Sequence, residues 1–400
     1  MGPLEGLKIL DASQIMAGPY CTMVLSDLGA DVTKIEKTNG GDDSRQMGPY
    51  VNGESTCFFQ INRNKKSIVL NLKSQKGKEV FYKLTKESDV VVENFRNGVT
   101  ESLGIDYETL KKKNPGIIYC SISGYGATGP NSKKGGFDLV AQGFTGLMSM
   151  TGEKGRPPMK SGIAVYDIGA GITACYSILA AYINKLKTGK GQFVDISLAD
   201  IGLPWFTWEA AAYFANRTIP NPTGHRHRVS APYQSVKTKD GYMMIGCANQ
   251  KTWENFASNV LEKEDWIKDP RFVSNLLRNQ NVEELEKEIE LILMEKNTSH
   301  WIKLCEKFGV PAGPINNFEE ALKEEQYKER DMIEEIEHPI LGKMKMIGIP
   351  TKFSDTPGKI RSSPPLLGEH THEILRGIGY KEKEIQDMKN QGTVETYNKE

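Results

Sequence analysis

Leu7-Lys8-Ile9-Leu10-Asp11 opens the chain as a short apolar run, and Asp31-Val32-Thr33-Lys34-Ile35-Glu36 follows as a second one. Between them, a helical pattern begins at Gly18-Pro19 and ends near Gly29. A strand, a helix and a strand in this order favour a parallel sheet. Further strands are predicted at residues 67–72, 90–93 and 117–122, with helices at 75–87 and 106–113. The pattern predicts an α/β fold with helices on both faces of the sheet.

The domain organisation follows from length and composition. A chain of 400 residues exceeds what one hydrophobic core usually holds. Residues 217–228 are rich in Thr, Pro and Gly, and residues 310–316 form a second Pro- and Gly-containing stretch. We therefore expect a large Rossmann-like domain over 1–215, a smaller inserted α+β domain with its linkers over 216–315, and a return to the large domain over 316–400.

Composition also bears on partners and location. Lys plus Arg and Asp plus Glu number 51 each, which argues against nucleic acid as the main partner. We see no apolar run of about 18 residues, so no membrane partner is expected. The first residues do not resemble a secretory signal, which favours a cytoplasmic location. The six cysteines are scattered without metal-ligand spacing, so reduced, buried thiols are expected.

The opening strand–helix–strand unit also raises the question of a dinucleotide site, since its second strand ends in Glu36. That site needs three close glycines, so that pyrophosphate can approach the start of the helix. Here the turn contains Gly18 as its glycine and the bulky Met16. The sequence therefore argues against binding of NAD in the usual mode.

Asp167 lies between a short extended stretch, residues 162–165, and a long helical pattern over residues 168–187. Two interpretations are open. Its carboxylate either caps the helix by accepting from the first free amides, or acts as a nucleophile toward a thioester carbonyl. In the second case the helix amides would hold it ionised, and amides near Gly169 and Gly171, or a glycine loop from elsewhere in the chain, would receive the developing oxyanion.

A run of basic residues crosses the first hundred positions, and its members are Arg45, Arg63, Lys65, Lys66, Lys73 and Arg96. They are either scattered surface charges or a cluster that binds a diphosphate and a 3′-phosphate. In the second interpretation, Phe95 and Met16 would provide apolar walls for an adenine.

Two later stretches are further candidates. His225 and Arg228 belong to a His- and Arg-rich part of the first linker; without a third ligand nearby they do not indicate a metal site, but a cation there would suit a carboxylate substrate. Gly246, Asn249 and Gln250 follow a predicted hairpin over 233–248. This segment is either a plain strand-to-helix turn or a flexible lid.

Taken together, these stretches resemble the class III (CaiB/BaiF-type) coenzyme A-transferases over nearly the whole chain. The resemblance rests on an ordered set of motifs: Ala17-Gly18-Pro19, Leu28-Gly29-Ala30-Asp31-Val32, Asn62-Arg63-Asn64-Lys65-Lys66-Ser67-Ile68, Glu93-Asn94-Phe95-Arg96, Gly124-Tyr125-Gly126-Ala127-Thr128-Gly129-Pro130, Lys187-Thr188-Gly189-Lys190-Gly191-Gln192, Gly309-Val310-Pro311-Ala312-Gly313-Pro314-Ile315 and Pro364-Pro365-Leu366-Leu367-Gly368-Glu369-His370.

The resemblance implies an interlocked homodimer and a reaction between an acyl-CoA and a carboxylic acid, with CoA thioesters as substrates and no prosthetic group. Asp167 matches the nucleophile that forms an acyl anhydride and then an aspartyl-CoA thioester. The segment 246–250 matches a mobile loop of some members. Positions that contact CoA in the family correspond here to Lys37, Leu70, Lys73, Asn94, Phe95, Leu103 and Phe137.

Departures from the family pattern bear on specificity. Met16, Ser102 and Gly135 replace a glutamine, an arginine and a lysine of formyl-transferring members, which argues against formyl or oxalyl substrates. The related 2-methylacyl-CoA racemases are the alternative function, but they carry a histidine at the position of Phe137, and phenylalanine cannot exchange a proton. The amino-acid sequences of the motifs most closely resemble those of succinyl-CoA-dependent dicarboxylate transferases.

Overall fold

The structure is a computed structural model that describes residues 2–397 of the chain. Its main element is a seven-stranded sheet with six parallel strands, whose order in chain numbering is 3-2-1-4-5-6, and a short antiparallel edge strand, Val394–Glu395, beside the third. This is the Rossmann order, so the α/β prediction is confirmed. The parallel strands are Lys8–Asp11, Asp31–Glu36, Lys65–Leu70, Val90–Glu93, Ile118–Ser123 and Phe193–Ser197.

Helices cover both faces of this sheet, and each face has its own hydrophobic core. Helices Ala17–Asp27 and Val165–Thr188 pack on one face, where Leu25 and Ile178 are fully buried. Helix Gln75–Lys86 packs on the other face. That face also carries helices near the C-terminus, Thr371–Gly377 and Glu382–Asn390. The double-sided burial explains why the strands read as nearly continuous apolar runs.

The bounds of several strands follow the predictions closely. Asp31–Glu36 and Val90–Glu93 have the predicted bounds, while Lys65–Leu70 begins and ends two positions before the prediction. Strand Phe193–Ser197 and hairpin Ile333–His338/Gly342–Ile347 were not predicted. Both contain charged residues with little apolar continuity, so the strand signal is weak there.

The remaining short elements connect these layers. They are the 3-10 helices Asp43–Gln46 and Leu203–Trp205, the hairpin Tyr50–Val51/Glu54–Ser55, and the helices Thr56–Ile61, Val99–Leu103, Tyr107–Lys111, Asp138–Thr145, Leu147–Met150, Leu198–Gly202, Thr207–Asn216 and Glu325–Glu329.

The chain divides into two compact units. The larger comprises Met1–Leu147, Ser161–Ala211 and Glu325–Glu400, and the smaller comprises Met148–Lys160 and Ala212–Glu324. These divisions differ from the boundaries expected from composition: residues 148–160, 212–215 and 316–324 belong to the smaller unit. A helix, Phe318–Lys323, explains the later end of that unit, since it is capped by Asn317 just after the second linker.

The smaller unit is built on a three-stranded antiparallel sheet in the order Ala312–Pro314, Tyr242–Gly246, Tyr233–Lys237. The predicted hairpin is confirmed, but part of the predicted second linker is a strand, because its backbone pairs with Tyr242–Gly246. The unit has its own core around Trp253, Phe256 and Ile289. Its other helical segments are Gln250–Asn255, Phe256–Val260, Glu264–Ile267, Asn275–Gln280, Val282–Leu293 and Thr298–Lys307.

Two expectations from composition meet the structure here. All six cysteines are free, and all except the half-buried Cys57 are buried, as expected for reduced thiols. Helix Val165–Thr188, however, has the length and a mean hydropathy of 1.2 that would allow a membrane crossing, and 44% of that stretch is buried. Since one side of it packs in the core, this is weak evidence for a membrane segment.

Candidate active site

A crevice opens where the first and fourth parallel strands, Lys8–Asp11 and Val90–Glu93, lie side by side. From the first strand the chain continues toward one edge of the sheet, and from the fourth strand it continues toward the other edge. In sheets of this kind, ligands bind at such a point, outside the carboxyl ends of the strands. The loops that follow the two strands are joined by Asn94. Its side-chain oxygen accepts from the amide of Gln14 at 2.8 Å, and its side-chain nitrogen donates to the Gln14 carbonyl at 2.8 Å.

One cavity in this crevice, of about 220 Å³, contains Asp167 and is called here the Asp167 cavity. Residues from four loops line it, including Ala17 at the start of helix Ala17–Asp27. Five residues that the sequence assigned to CoA binding also line it, namely Met16, Asn94, Phe95, Arg96 and Phe137. The sheet thus brings residues that are far apart in the chain together around the Asp167 cavity.

A second cavity of about 560 Å³, called the Lys73 cavity, shares Gln14 and Phe95 with the first. Apolar walls and two lysines line it. The residues assigned to CoA binding that line this cavity are Lys37, Leu70, Lys73, Phe95 and Leu103. Every residue predicted to bind CoA therefore lies at one of two neighbouring cavities, while their contacts with CoA itself stay a prediction.

Asp167 does not cap its helix. Helix Val165–Thr188 begins before it, and the N-cap position is Ala164, so the capping interpretation is wrong. Asp138 performs that task from another helix: its Oδ1 accepts from the amides of Tyr166 at 2.7 Å and Asp167 at 3.4 Å. Because Asp138 takes these amides, the Asp167 side chain is released from satisfying the helix start.

The electrostatics of Asp167 follow from this arrangement. Within residues 2–397, its carboxylate accepts no hydrogen bond. Burial, together with the negative charge of Asp138, raises the pKa of Asp167 to about 6. The sequence-based expectation that helix amides hold this group ionised therefore needs correction. At neutral pH the carboxylate is still mainly ionised, and it is a more basic nucleophile than an exposed aspartate.

Gly169 and Gly171 are not oxyanion donors, contrary to expectation. Both lie beyond the first turn of the helix, where amides bond within the helix. Their role is close packing. A Cβ on Gly171 would stand 2.8 Å from the carbonyl oxygen of Ala17, and one on Gly169 would stand 2.2 Å from the ring of Trp205.

A different backbone amide, that of Ala17 in the cavity lining, is a candidate donor. Helix Ala17–Asp27 begins beside Asp167, and its N-cap residue, Met16, has no side-chain capping bond. The amide of Ala17 has no acceptor among the described residues. An unpaired amide at a helix start carries part of the positive end of the helix dipole, so it is suited to stabilise negative charge on an oxygen in this cavity.

Comparison with known proteins gives the family. The family model described as CoA-transferase family III matches residues 4–371. The chain belongs to CoA-transferase family III. It is 39% identical to a succinyl-CoA:glutarate CoA-transferase of Mus musculus, over 99% of this chain and 91% of that protein. It is 34% identical to a succinate–glutarate CoA-transferase of Agrobacterium fabrum, over 93% and 95%.

A solved structure supports the fold of the family. A CaiB/BaiF family protein from Brucella suis superposes with a TM-score of 0.84 at 37% identity, covering 94% of this chain and 99% of that one. The resemblance inferred from the ordered motifs is therefore confirmed, and so is the class of enzyme.

Half of the basic run is committed to buried carboxylates and not to a phosphate site. Arg45 pairs with Glu36 at 2.7 Å, Arg63 with Asp27 at 2.7 Å, Lys65 with Asp11 at 3.0 Å, and Lys66 with Glu373 at 2.7 Å. Only Lys73 and Arg96 of the run line the cavities. The cluster interpretation is thus wrong for Arg45, Arg63 and Lys65, whose carboxylate partners are buried, because sequence spacing does not show such pairings. Lys66 and Glu373 form an exposed pair.

The pair of Arg45 and Glu36 also bears on the dinucleotide question. Glu36 accepts from Arg45 through both carboxylate oxygens, from Ser67 at 2.6 Å and from the amide of Asp42 at 3.0 Å. Its oxygens are therefore committed to the protein and are not placed to bind a ribose hydroxyl.

His225 and Arg228 lie in the smaller unit, where both have protein partners. The Nδ1 of His225 is 2.7 Å from the hydroxyl of Ser235, and its Nε2 is 3.6 Å from Glu286. Arg228 donates to the carbonyl of Asn221 at 2.6 Å. Their predicted role in binding a substrate carboxylate is untested.

The predicted loop Gly246–Gln250 contains regular structure. Gly246 ends a strand, and Asn249 caps the following helix through a capping box with Thr252. Gln250 accepts from Arg278 at 3.1 Å. These bonds match the plain strand-to-helix turn, and a role as a mobile lid stays a prediction.

Sequence reasoning missed Asp138 and Gln14. Asp138 follows Gly135-Gly136-Phe137 and starts helix Asp138–Thr145, and an acidic residue directly after a glycine pair was a signal available in the sequence. Gln142, fully buried, donates to Asp138 at 2.6 Å and so fixes its side chain. No local pattern links Gln14 to Asn94, since the bond depends on the sheet order.

Proposed function

We propose that this enzyme transfers CoA from succinyl-CoA to a dicarboxylic acid through covalent intermediates on Asp167. One observation carries the proposal: a carboxylate that accepts no hydrogen bond from the described residues, with its pKa raised to about 6, lines a cavity at the switch point of a Rossmann sheet. The neighbouring Lys73 cavity offers apolar walls and two lysines to the nucleotide part of CoA.

The proposed reaction runs in four displacements. The Asp167 carboxylate attacks the thioester carbonyl of succinyl-CoA, which gives a succinyl–aspartyl anhydride and CoA thiolate. The thiolate then attacks the aspartyl carbonyl, releasing succinate and leaving an aspartyl-CoA thioester. The acceptor carboxylate attacks that thioester, and the released thiolate attacks the acyl carbonyl of the new anhydride, which restores the Asp167 carboxylate.

Each displacement passes through a tetrahedral centre with a negative oxygen. The amide of Ala17, at the start of its helix and in the same cavity as Asp167, is our proposed donor to that oxygen. Arg96 and Lys134 add two positive side chains to the cavity lining. Such charges suit substrates with a second carboxylate, in agreement with the dicarboxylates named for the two relatives above.

The racemase alternative lacks the second base that racemases carry at the position of Phe137. Phe137, at the position of a proton-transferring histidine in racemases, is 73% exposed and lines the Asp167 cavity. A two-base racemisation needs a second titratable group opposite the first. We therefore expect no exchange of deuterium at the alpha carbon of a 2-methylacyl-CoA when no acceptor acid is present.

We also propose a homodimer. The long helix exposes a stripe of apolar side chains, with Ile172 50%, Tyr176 60%, Ile183 55% and Leu186 69% exposed. An apolar stripe of this kind on a helix is a typical interaction surface. Light scattering of the purified chain should give twice the mass of 44.6 kDa, and a monomer would contradict the proposal. A cytoplasmic location, and no nucleic acid or membrane partner, stay predictions.

The decisive experiment traps the covalent intermediate. The protein is incubated with succinyl-CoA, hydroxylamine is added, and peptides are analysed by mass spectrometry. A hydroxamate on Asp167 supports the mechanism, with Asp167→Asn as the control that should remain unmodified. A modification at another residue, or none while CoA transfer proceeds, would contradict it. A screen of acceptor acids, read as new CoA thioesters, then identifies the dicarboxylate.

A further inference from the structure

A buried ionic network lies directly beneath the turn formed by residues 13–17, which enters the Asp167 cavity. Lys34 is at its centre. Its Nζ donates to the carbonyl of Ser13 at 3.0 Å and lies 2.7 Å from Oδ2 of Asp42 and 3.8 Å from Asp11. The side chains of Lys34 and Asp42 are 0% and 1% exposed. Buried ion pairs seldom add stability over apolar packing, so their retention invites a specific role.

The network holds the backbone of the turn at successive residues. Asp11 accepts from the amide of Ser13 at 3.0 Å, and Asp42 Oδ1 accepts from the amide of Ile15 at 3.0 Å. Asn94 holds the residue between them, Gln14, through its two bonds of 2.8 Å. The turn therefore has fixed anchors from strand Lys8–Asp11 and from the segments that follow strands Asp31–Glu36 and Val90–Glu93.

Ile15 shows that these anchors hold an unfavourable conformation. Its φ is +67°, a region that β-branched residues rarely adopt. Such a conformation persists only where the surroundings impose it, and it is found often at functional sites. The next two residues, Met16 and Ala17, line the Asp167 cavity. The direction of the Ala17 amide thus depends on the strained residue two positions earlier.

We propose that Asp42, paired with Lys34, is a positioning residue for the transfer reaction. Its Oδ1 bond to the Ile15 amide sets the turn so that the Ala17 amide faces the oxygen that becomes negative during attack by Asp167. This inference rests on the proposed function. Asp42 touches no reacting atom; it acts through the backbone of residues 15–17.

Two double variants test the anchor without leaving an unpaired buried charge. Lys34→Met/Asp42→Asn removes both charges but keeps a side-chain oxygen for the Ile15 amide. Lys34→Met/Asp42→Ala removes the charges and the oxygen. We expect kcat of the alanine double to be roughly 10- to 100-fold below that of the asparagine double, since small misplacements of catalytic groups have effects of this size. KM for succinyl-CoA should differ by less than about threefold, since the contact forms in the transition state.

A rescue separates positioning from general damage. Ile15→Gly, added to the alanine double, should recover much of kcat, because glycine adopts a positive φ without the anchor. Ile15→Gly in the otherwise native chain gives its baseline. If the alanine double does not fold, Asp42→Ala alone, with and without Ile15→Gly, provides the same comparison, because Lys34 keeps the Ser13 carbonyl and Asp11 as partners.

The matched control lies at the C-terminal end of helix Ala17–Asp27, whose N-terminal end follows the turn. Asp27 forms a buried pair with Arg63 at 2.7 Å, with both side chains 4% exposed. Asp27→Asn disturbs a comparable pair away from the turn and should keep kcat within about threefold. Equal kcat in the two doubles, a loss confined to KM, or an equal loss in Asp27→Asn would overturn the proposal. No transfer by the native chain would instead contradict the proposed function itself.

Discussion

The two cavities beside Phe95 differ in what their walls offer. The Asp167 cavity has loop backbones, an unpaired carboxylate and the start of a helix, in about 220 Å³. The Lys73 cavity has the apolar side chains of Leu70, Leu72 and Leu103 with two lysines at its edge, in about 560 Å³. The walls of the smaller cavity suit a reaction in which an oxygen becomes negatively charged, and the volume of the larger cavity suits the binding of a large ligand.

This difference separates two kinds of mutational effect. Interactions formed only in the transition state change kcat, whereas interactions present equally in the bound substrate change KM. We therefore expect variants in the Asp167 cavity to lower kcat and variants in the Lys73 cavity to raise KM. A variant with the opposite behaviour would break the distinction.

The largest effect is expected for Asp167→Ala. Loss of the nucleophile should lower kcat by roughly 10³-fold or more, about 4 kcal/mol of barrier, while binding of CoA measured by calorimetry stays within a few-fold. Asp200→Ala is the control, because Asp200 is an exposed acidic residue in the first turn of another helix. Retention of kcat within a few-fold of the native value would remove Asp167 from the nucleophile role.

An intermediate effect is expected for Lys73→Ala. Lys73 is exposed at the cavity edge and has no ion pair in the part of the chain that the structure describes. Loss of its contact with a phosphate should raise KM for succinyl-CoA by about tenfold, equivalent to ~1.4 kcal/mol, with kcat within about threefold. Lys76→Ala is the matched control, since Lys76 pairs with Glu79 at 3.3 Å outside the cavity. Equal effects of both variants would show general electrostatics instead of a specific contact.

The smallest effect at neutral pH is expected for Asp138→Asn. Burial and Asp138 raise the pKa of Asp167 to about 6, and the nucleophile must be ionised, so kcat/KM of the native enzyme should fall as pH drops through about 6. Asparagine keeps an oxygen for the helix amides but removes the negative charge. The pKa of Asp167 should then fall, and the acid limb of the profile should move to lower pH. An unmoved limb would show that ionisation of Asp167 does not control it.

Local patterns were sufficient for much of the fold. Strands such as Val90–Glu93, buried along their whole length, have an apolar run that distinguishes them in any context. Strand Phe193–Ser197 has exposed and half-buried positions and a central Asp195, and its place at the sheet edge is set by pairing with Ile118–Ser123. Its strand character therefore comes from long-range hydrogen bonds.

In the candidate site, too, some features follow from local sequence and others from long-range contacts. The sequence located Asp167 and the residues around both cavities through ordered motifs. It did not reveal that Asp138 takes the helix amides, nor that Arg45, Arg63 and Lys65 are occupied by buried carboxylates. These partners lie between 9 and 54 positions away along the chain, and spacing carries no information on such pairings.

The sequence by itself determined the alternation of strands and helices and the family, and it indicated Asp167 as the candidate nucleophile, because periodicity and motif order are properties of neighbouring residues. The tertiary structure decided which charges are paired, which backbone amides remain free and how the turn at Ile15 is held. These depend on groups that meet only after the sheet has assembled, when burial makes each missing or surplus partner energetically costly.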